Sequence, residues 1–191
     1  MKMVRHNRIT VIILVLVLVL TFYPKPSYAY VLYSGYWSST AKPSTNVEYY
    51  VDSSVTGYNY DTSVSSGASA WNGISLKYGI TSTTVADSAD IKVFAGDTHD
   101  TSWADTLNYK NKTDAGGCWS CSWNYSRIRI NAPVYQPASS DLRMKVMIHE
   151  FGHAAGMDHE TVNKAIMKQG DNGYYTMQTD DKDGLKAKYP N

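Results

Sequence analysis

Eleven consecutive residues carry most of the chemistry available to this chain: His149-Glu150-Phe151-Gly152-His153-Ala154-Ala155-Gly156-Met157-Asp158-His159. Side chains four apart on an α-helix lie on one face, so His149 and His153 can grip the same ion. Glu150 sits beside the first of them, where its carboxylate can hold and deprotonate a water. Gly156 suits a left-handed residue that ends the helix and turns the chain back. That turn can bring His159 round as a third ligand, leaving the fourth position of a tetrahedral zinc site for water or substrate. A bare HExxH also occurs on helices whose histidines do nothing. Gly156 and His159 at the added offsets, with Met167 eight residues further on, give the zinc interpretation its specificity. The chemistry expected is zinc-assisted hydrolysis, with His149, His153 and His159 as ligands and Glu150 as general base.

The elements that must position these groups are partly legible. Apolar residues Leu142, Val146, Met147 and Ile148 predict a long helix over residues 141–155, with Ser140 or Asp141 as N-cap. Residues 126–131 alternate strictly, which places Ile128 and Ile130 inward and Arg127 and Arg129 outward on a strand. Further strands are expected over 47–51, 76–80 and 90–95. Val64, Ala68 and Trp71 fall at helical spacing and predict a helix over 63–71, capped by Asp61 or Thr62. An irregular segment with Gly170, Gly173, Tyr174 and Tyr175 precedes a last helix from about residue 179 to 188. Strands first, then a site helix, then a closing helix describe an α+β domain.

The sequence of 191 residues opens on Lys2, Arg5 and Arg8, an apolar run over residues 11–20, then Pro24 and Pro26 and the small pair Ser27 and Ala29. That order reads as a secretory signal over residues 1–29, with an uncleaved signal anchor as the alternative; the run is short for a membrane span. Residues 30–191 are expected to form one soluble, secreted domain, ample for a core of its own. The leader holds four of the 18 basic residues and none of the 17 acidic ones, leaving 14 against 17, a formal net of −3. That balance does not suggest a nucleic acid or an anionic membrane as partner. Cys118 and Cys121 are the only cysteines. In an exported chain a local disulfide is expected, worth about 2 kcal/mol on the chain-entropy model; a redox CxxC lacks its strand–helix context, and a zinc site would need two more soft ligands.

The pattern HExxHxxGxxH followed by a methionine resembles the metzincin metalloproteases. Within them the chain looks most like the matrixin, or matrix-metalloprotease-like, group. The short step from His159 to Met167 is like that group's, and so is the closing segment from Met177 to Tyr189. Weaker echoes are Trp37 with residues 47–51, Ala70-Trp71, and residues 89–93. Glu160 departs toward the astacin-like branch, but that branch carries a tyrosine two residues after its methionine, and here the residue is Gln169. Glu160 is therefore expected to be structural or solvated, more often the second. The resemblance implies a mixed twisted sheet with a site helix and a C-terminal helix, a zinc-dependent endopeptidase with one catalytic zinc, and Met167 as a hydrophobic floor beneath the ligands. It implies an extended protein or peptide substrate paired with an exposed strand edge, for which residues 106–110 are the best local candidate, although a plain loop fits them nearly as well. Residues 170–177 are expected as a wall of the main specificity pocket, with Tyr174 or Tyr175 either lining it or, more commonly for a tyrosine here, packing on the surface or in the core. His6 lies in the leader and only His99 remains, so the second, structural zinc of many animal matrixins has no ligand set here. Acidic and carbonyl oxygens over 97–114 leave room for calcium, without EF-hand spacing to support it. No propeptide cysteine is visible, so the domain is expected to be active on export, as a monomer, unless a protein inhibitor restrains it. Two rival functions remain: an exopeptidase, for which no group marked to hold a substrate terminus is found, and a secreted zinc-binding or adhesion module, which would have no use for Glu150.

Overall fold

The computed structural model describes residues 30–37, 47–161 and 164–191; the expected leader lies outside them. Seven strands are described: β1 Tyr36–Trp37, β2 Val47–Val51, β3 Ile80–Ser82, β4 Ile91–Gly96, β5 Ala104–Tyr109, β6 Ser122–Trp123 and β7 Tyr125–Asn131. The described helices are α1 Ser53–Gly57, α2 Asp61–Ser69, α3 Ala132–Tyr135, α4 Ser140–Ala155 and α5 Thr179–Lys188. Five strands form one mixed sheet in the order β3-β2-β4-β7-β5. Its first three pairings are parallel, and β5 runs antiparallel to β7 at the edge. The α+β expectation holds.

Alternation explains the central strands. Ile91 and Val93 on β4, and Ile128 and Ile130 on β7, are fully buried, while Arg127 and Arg129 are only half-covered. The β5–β7 register sets Asp105 opposite Arg129, and the guanidinium grips both carboxylate oxygens, one at 2.8 Å. Such a two-pronged pair fixes orientation as well as attraction. It ties the edge strand to the sheet one residue from Thr106.

The long helix α4 is held from both sides of the core. Phe151 meets Tyr49 edge-on at 5.5 Å, and α2 packs along the helix. Trp71, wholly buried just past α2, donates its indole N–H to the Ile148 carbonyl at 2.9 Å. Losing a buried tryptophan of this kind typically costs about 3–5 kcal/mol, so Trp71 is a main anchor of the helix that carries the histidines.

Several boundaries differ from expectation. The N-cap of α4 is Ser139, whose hydroxyl accepts from the Leu142 N–H, one or two residues before the candidates. Asp61 and Thr62 lie inside α2 rather than capping it; Tyr60 is the N-cap, with no side-chain bond. The strand expected over 76–80 begins only at Ile80. Before it the chain turns, with Leu76 pointing out to solvent and Tyr78 buried against Tyr189. Ser75 donates to the Tyr189 carbonyl at 2.6 Å, so this segment anchors the C-terminus instead of extending the sheet. The short elements β1, β6, α1 and α3 carry too few residues to show a period. Among the described residues no helix is long and apolar enough to cross a membrane.

Candidate metal centre and cleft

Helix α4 presents Lys145, His149 and His153 at four-residue intervals, hence on one face. It ends at Gly156, whose φ of 96° lies in the left-handed region that an L side chain rarely adopts. The returning chain is clamped by the segment before β1. Tyr33 N–H donates to the Gly156 carbonyl at 3.0 Å, and Asp158 N–H donates to the Val31 carbonyl at 2.9 Å. His159 follows at once. One nitrogen from each of His149, His153 and His159 lies within 4.8 Å of the others. The spacing expectation is met: the structure brings all three imidazoles together.

Their tautomers follow from their partners. His149 Nδ1 lies 2.8 Å from the Ile166 carbonyl, and His153 Nδ1 lies 2.9 Å from the Met157 carbonyl. A carbonyl only accepts, so both Nδ1 atoms carry the hydrogen and both Nε2 atoms keep a lone pair. His153 Nε2 and His159 Nε2 are 3.1 Å apart. Two nitrogens on one tetrahedral zinc stand about 3.3 Å apart at ordinary Zn–N lengths. Three imidazole nitrogens this close together could hold one metal ion, and zinc accepts such a set.

Glu150 is 6% exposed. The Thr106 hydroxyl lies 2.7 Å from its Oε2 and 3.0 Å from its backbone carbonyl. The next inward residue of β5, Asn108, donates to the His153 carbonyl at 3.1 Å. The edge strand and the site helix are thus stitched together at two residues. Met167 is fully buried, and a Cβ on Gly152 would stand 2.4 Å from its sulfur. Only glycine allows this approach of sulfur to helix, and it sets Met167 below the turn between the two helical histidines.

An open cleft of about 460 Å³ runs past these groups. On the His153 side it is walled by Tyr33, stacked on His153 at 5.8 Å, and by Trp119. Ala104, Asp105 and Thr106 of β5 run alongside. Lys145, Val146 and Gly170 close the His149 side.

The family model described as Matrixin matches residues 42–190. This chain belongs to the matrixin family. No curated protein matches it. A matrixin is a zinc-dependent endopeptidase of α+β fold, in keeping with the sheet, the donor set and the cleft.

Within this matrixin, burial sets the electrostatics. It holds the His149 imidazole well below its usual pKa and lowers that of His153 to about 4. His159, half covered, is lowered too. All three stay neutral, the form that binds a metal, across the physiological range. Burial pushes Glu150 the other way, up to about 8, against the lowering effect of the Thr106 hydroxyl. A dication beside it would favour the carboxylate again.

Other expected features fall unevenly. Part of the 106–110 candidate lies in edge strand β5, which starts two residues earlier and stops at Tyr109. Cys118 and Cys121 form the expected disulfide, in the loop that carries Trp119. Gly170 lines the cleft, but Tyr174 and Tyr175 are not among its lining residues; Tyr175 reaches instead toward Asp171 at 3.4 Å. His99 is an exposed loop residue paired with Asp97 at 2.8 Å. Glu160 is a correction: it is 3% exposed, not solvated. Tyr33, Trp119 and Lys145 also line the cleft, and Asp181 supports the turn bearing Met167. Lys145 had a readable signal, four residues before His149 on the same face. Tyr33 had none, being 120 residues distant from His153.

Proposed function

We propose that this matrixin is a secreted endopeptidase that cuts extended protein segments. His149, His153 and His159 hold the zinc and Glu150 is the general base. Residues 1–29 act as the export signal and 30–191 as the working domain. The observation that carries this reading is the convergence of three imidazole nitrogens beside a carboxylate pinned by Thr106, all in one open cleft.

Bound zinc supplies a Lewis acid that polarises the scissile carbonyl and makes water a better nucleophile. The chain's own groups do the rest. Glu150 accepts a proton from the attacking water as its oxygen bonds to the carbonyl carbon. It then delivers that proton to the leaving nitrogen as the C–N bond breaks. Thr106 keeps the carboxylate from swinging away. The β5 edge beside the site offers backbone groups to an extended chain, as in β-strand addition. Asn108's carbonyl is already taken by the Cys118 N–H at 2.6 Å, so pairing falls to the stretch around Ala104 and Thr106.

The test is cleavage of an unstructured protein by purified residues 30–191, with Glu150→Ala and a chelator in parallel. Glu150→Ala should keep zinc and lose roughly 10²–10⁴-fold in kcat/KM. Undiminished cleavage by that variant would sink the mechanism. Bound zinc without cleavage by the parent protein would favour a zinc-binding module instead.

A further inference from the structure

Lys145 is an odd residue to find in the wall of this cleft. It lies one helical turn before His149 and is only 2% exposed. Its Nζ donates to the carbonyls of Lys168, at 3.1 Å, and of Gly170. Among the described residues no carboxylate comes within ion-pairing distance of it. Asp181 faces it from α5 but is occupied by three backbone N–H groups. Asp171 turns to Gly173 N–H and Tyr175. An ammonium has three donors, and two are spent on neutral carbonyls. The ammonium is therefore left without a directly paired carboxylate at a wall of the substrate cleft, with Asp171 and Asp181 acting on it only at longer range, an arrangement that something anionic would complete.

Distance says which part of a substrate could do so. Four helical residues advance about 6 Å, and an extended chain advances about 3.3 Å per residue. The side chain that reaches Lys145 from a chain lying over His149 and Glu150 belongs to a residue adjoining the scissile bond. Val146, Gln169 and Gly170 line the approach, all of them uncharged, so the ammonium is the group there that tells an acidic side chain from a neutral one.

We propose that the Lys145 end of the cleft is a pocket for an acidic substrate side chain, glutamate or aspartate, next to the bond that is cut. This rests on the endopeptidase reading above. The rival role for Lys145 is a strut that merely pins the Lys168 and Gly170 carbonyls.

The cut sites made by the zinc-loaded protein in an unstructured substrate come first, and Glu or Asp should be enriched at one position flanking the cut. Labelled peptides that differ only there, Glu against its neutral isostere Gln, are then bound to the zinc-loaded Glu150→Ala variant, which holds them uncut. Glu should bind about tenfold tighter than Gln. Lys145→Met, which keeps the stem and drops the charge, should erase that ratio, and Lys145→Arg should retain most of it. The same ratio is read in kcat/KM with Glu150 present. Equal binding of the two peptides by the parent site overturns the proposal, as does a ratio that survives in Lys145→Met. A strut would weaken both peptides alike in Lys145→Met, with the parent site showing no preference. Absence of any cleavage or binding defeats the endopeptidase reading itself, a result distinguishable from cleavage without acidic preference.

Discussion

Glu160 directly follows the third histidine, and neither of its carboxylate oxygens has a hydrogen-bond partner although the residue is buried. Burial, with the charges of Asp181 and Asp180 adding to it, raises its pKa to about 7. The native state then holds a proton that the unfolded chain releases near the ordinary value of 4.5. The stability this group contributes is full below about pH 4.5 and is lost as pH rises through about 7. Glu160→Gln removes the titration. In metal-free protein its melting temperature should exceed the parent's above pH 7 by several degrees, and the gap should close toward pH 4.5. A gap independent of pH would show that the carboxyl does not titrate in this window. At Glu150 the same burial would serve the proposed chemistry, because Thr106 holds the carboxyl group in place.

Among the elements, the join between the start of α5 and the turn bearing Met167 matters most. Asp181 is fully buried, and its carboxylate accepts from the N–H groups of Ile166 at 3.0 Å, Met167 at 3.1 Å and Gln178 at 2.9 Å. The last of these completes a capping box for α5. Ile166 in turn offers its carbonyl to His149 Nδ1, so one carboxylate positions a histidine two contacts away. Asp181→Ala would strand these donors at about 1–3 kcal/mol each. Denaturant unfolding should show a loss of at least about 3 kcal/mol, and zinc affinity should fall with it. Asp181→Asn keeps an acceptor and should fall between. If Asp181→Ala leaves zinc affinity intact, the turn does not depend on this carboxylate for its position.

For the whole molecule, a zinc ion on the proposed ligands would join regions that the chain separates. The helix supplies His149 and His153, the return loop supplies His159, and that loop is held by residues 31–33. An ion bound only by the folded state stabilises it by mass action, about 4 kcal/mol at a thousandfold excess over its Kd. For a domain of this size that corresponds to roughly 8–16 °C in Tm. Thermal melts before and after chelation should show a drop of that order, reversed by zinc. An unchanged Tm would mean that the imidazole cluster does not bind the ion appreciably.

What the sequence determined by itself was the local chemistry. A four-residue interval on a helix places His149 and His153 together whatever the rest of the fold does, and a glycine at 156 permits the left-handed turn that His159 needs. Alternation marked Ile128 and Ile130 as inward for the same reason, since each pattern is read over a few neighbouring residues. The tertiary structure alone decided the groups that make those residues useful. Thr106 meets Glu150 only because β5 runs antiparallel to β7 at the edge nearest α4. Asp181 meets the Met167 turn only because α5 folds back against it. Tyr33 reaches His153 across most of the chain, and Lys145 becomes a cleft residue only when the 168–170 loop packs over it. Spacing along a helix or strand is set by backbone geometry a few residues at a time. Which elements lie side by side is set by burial of the whole core, and no local pattern encodes it.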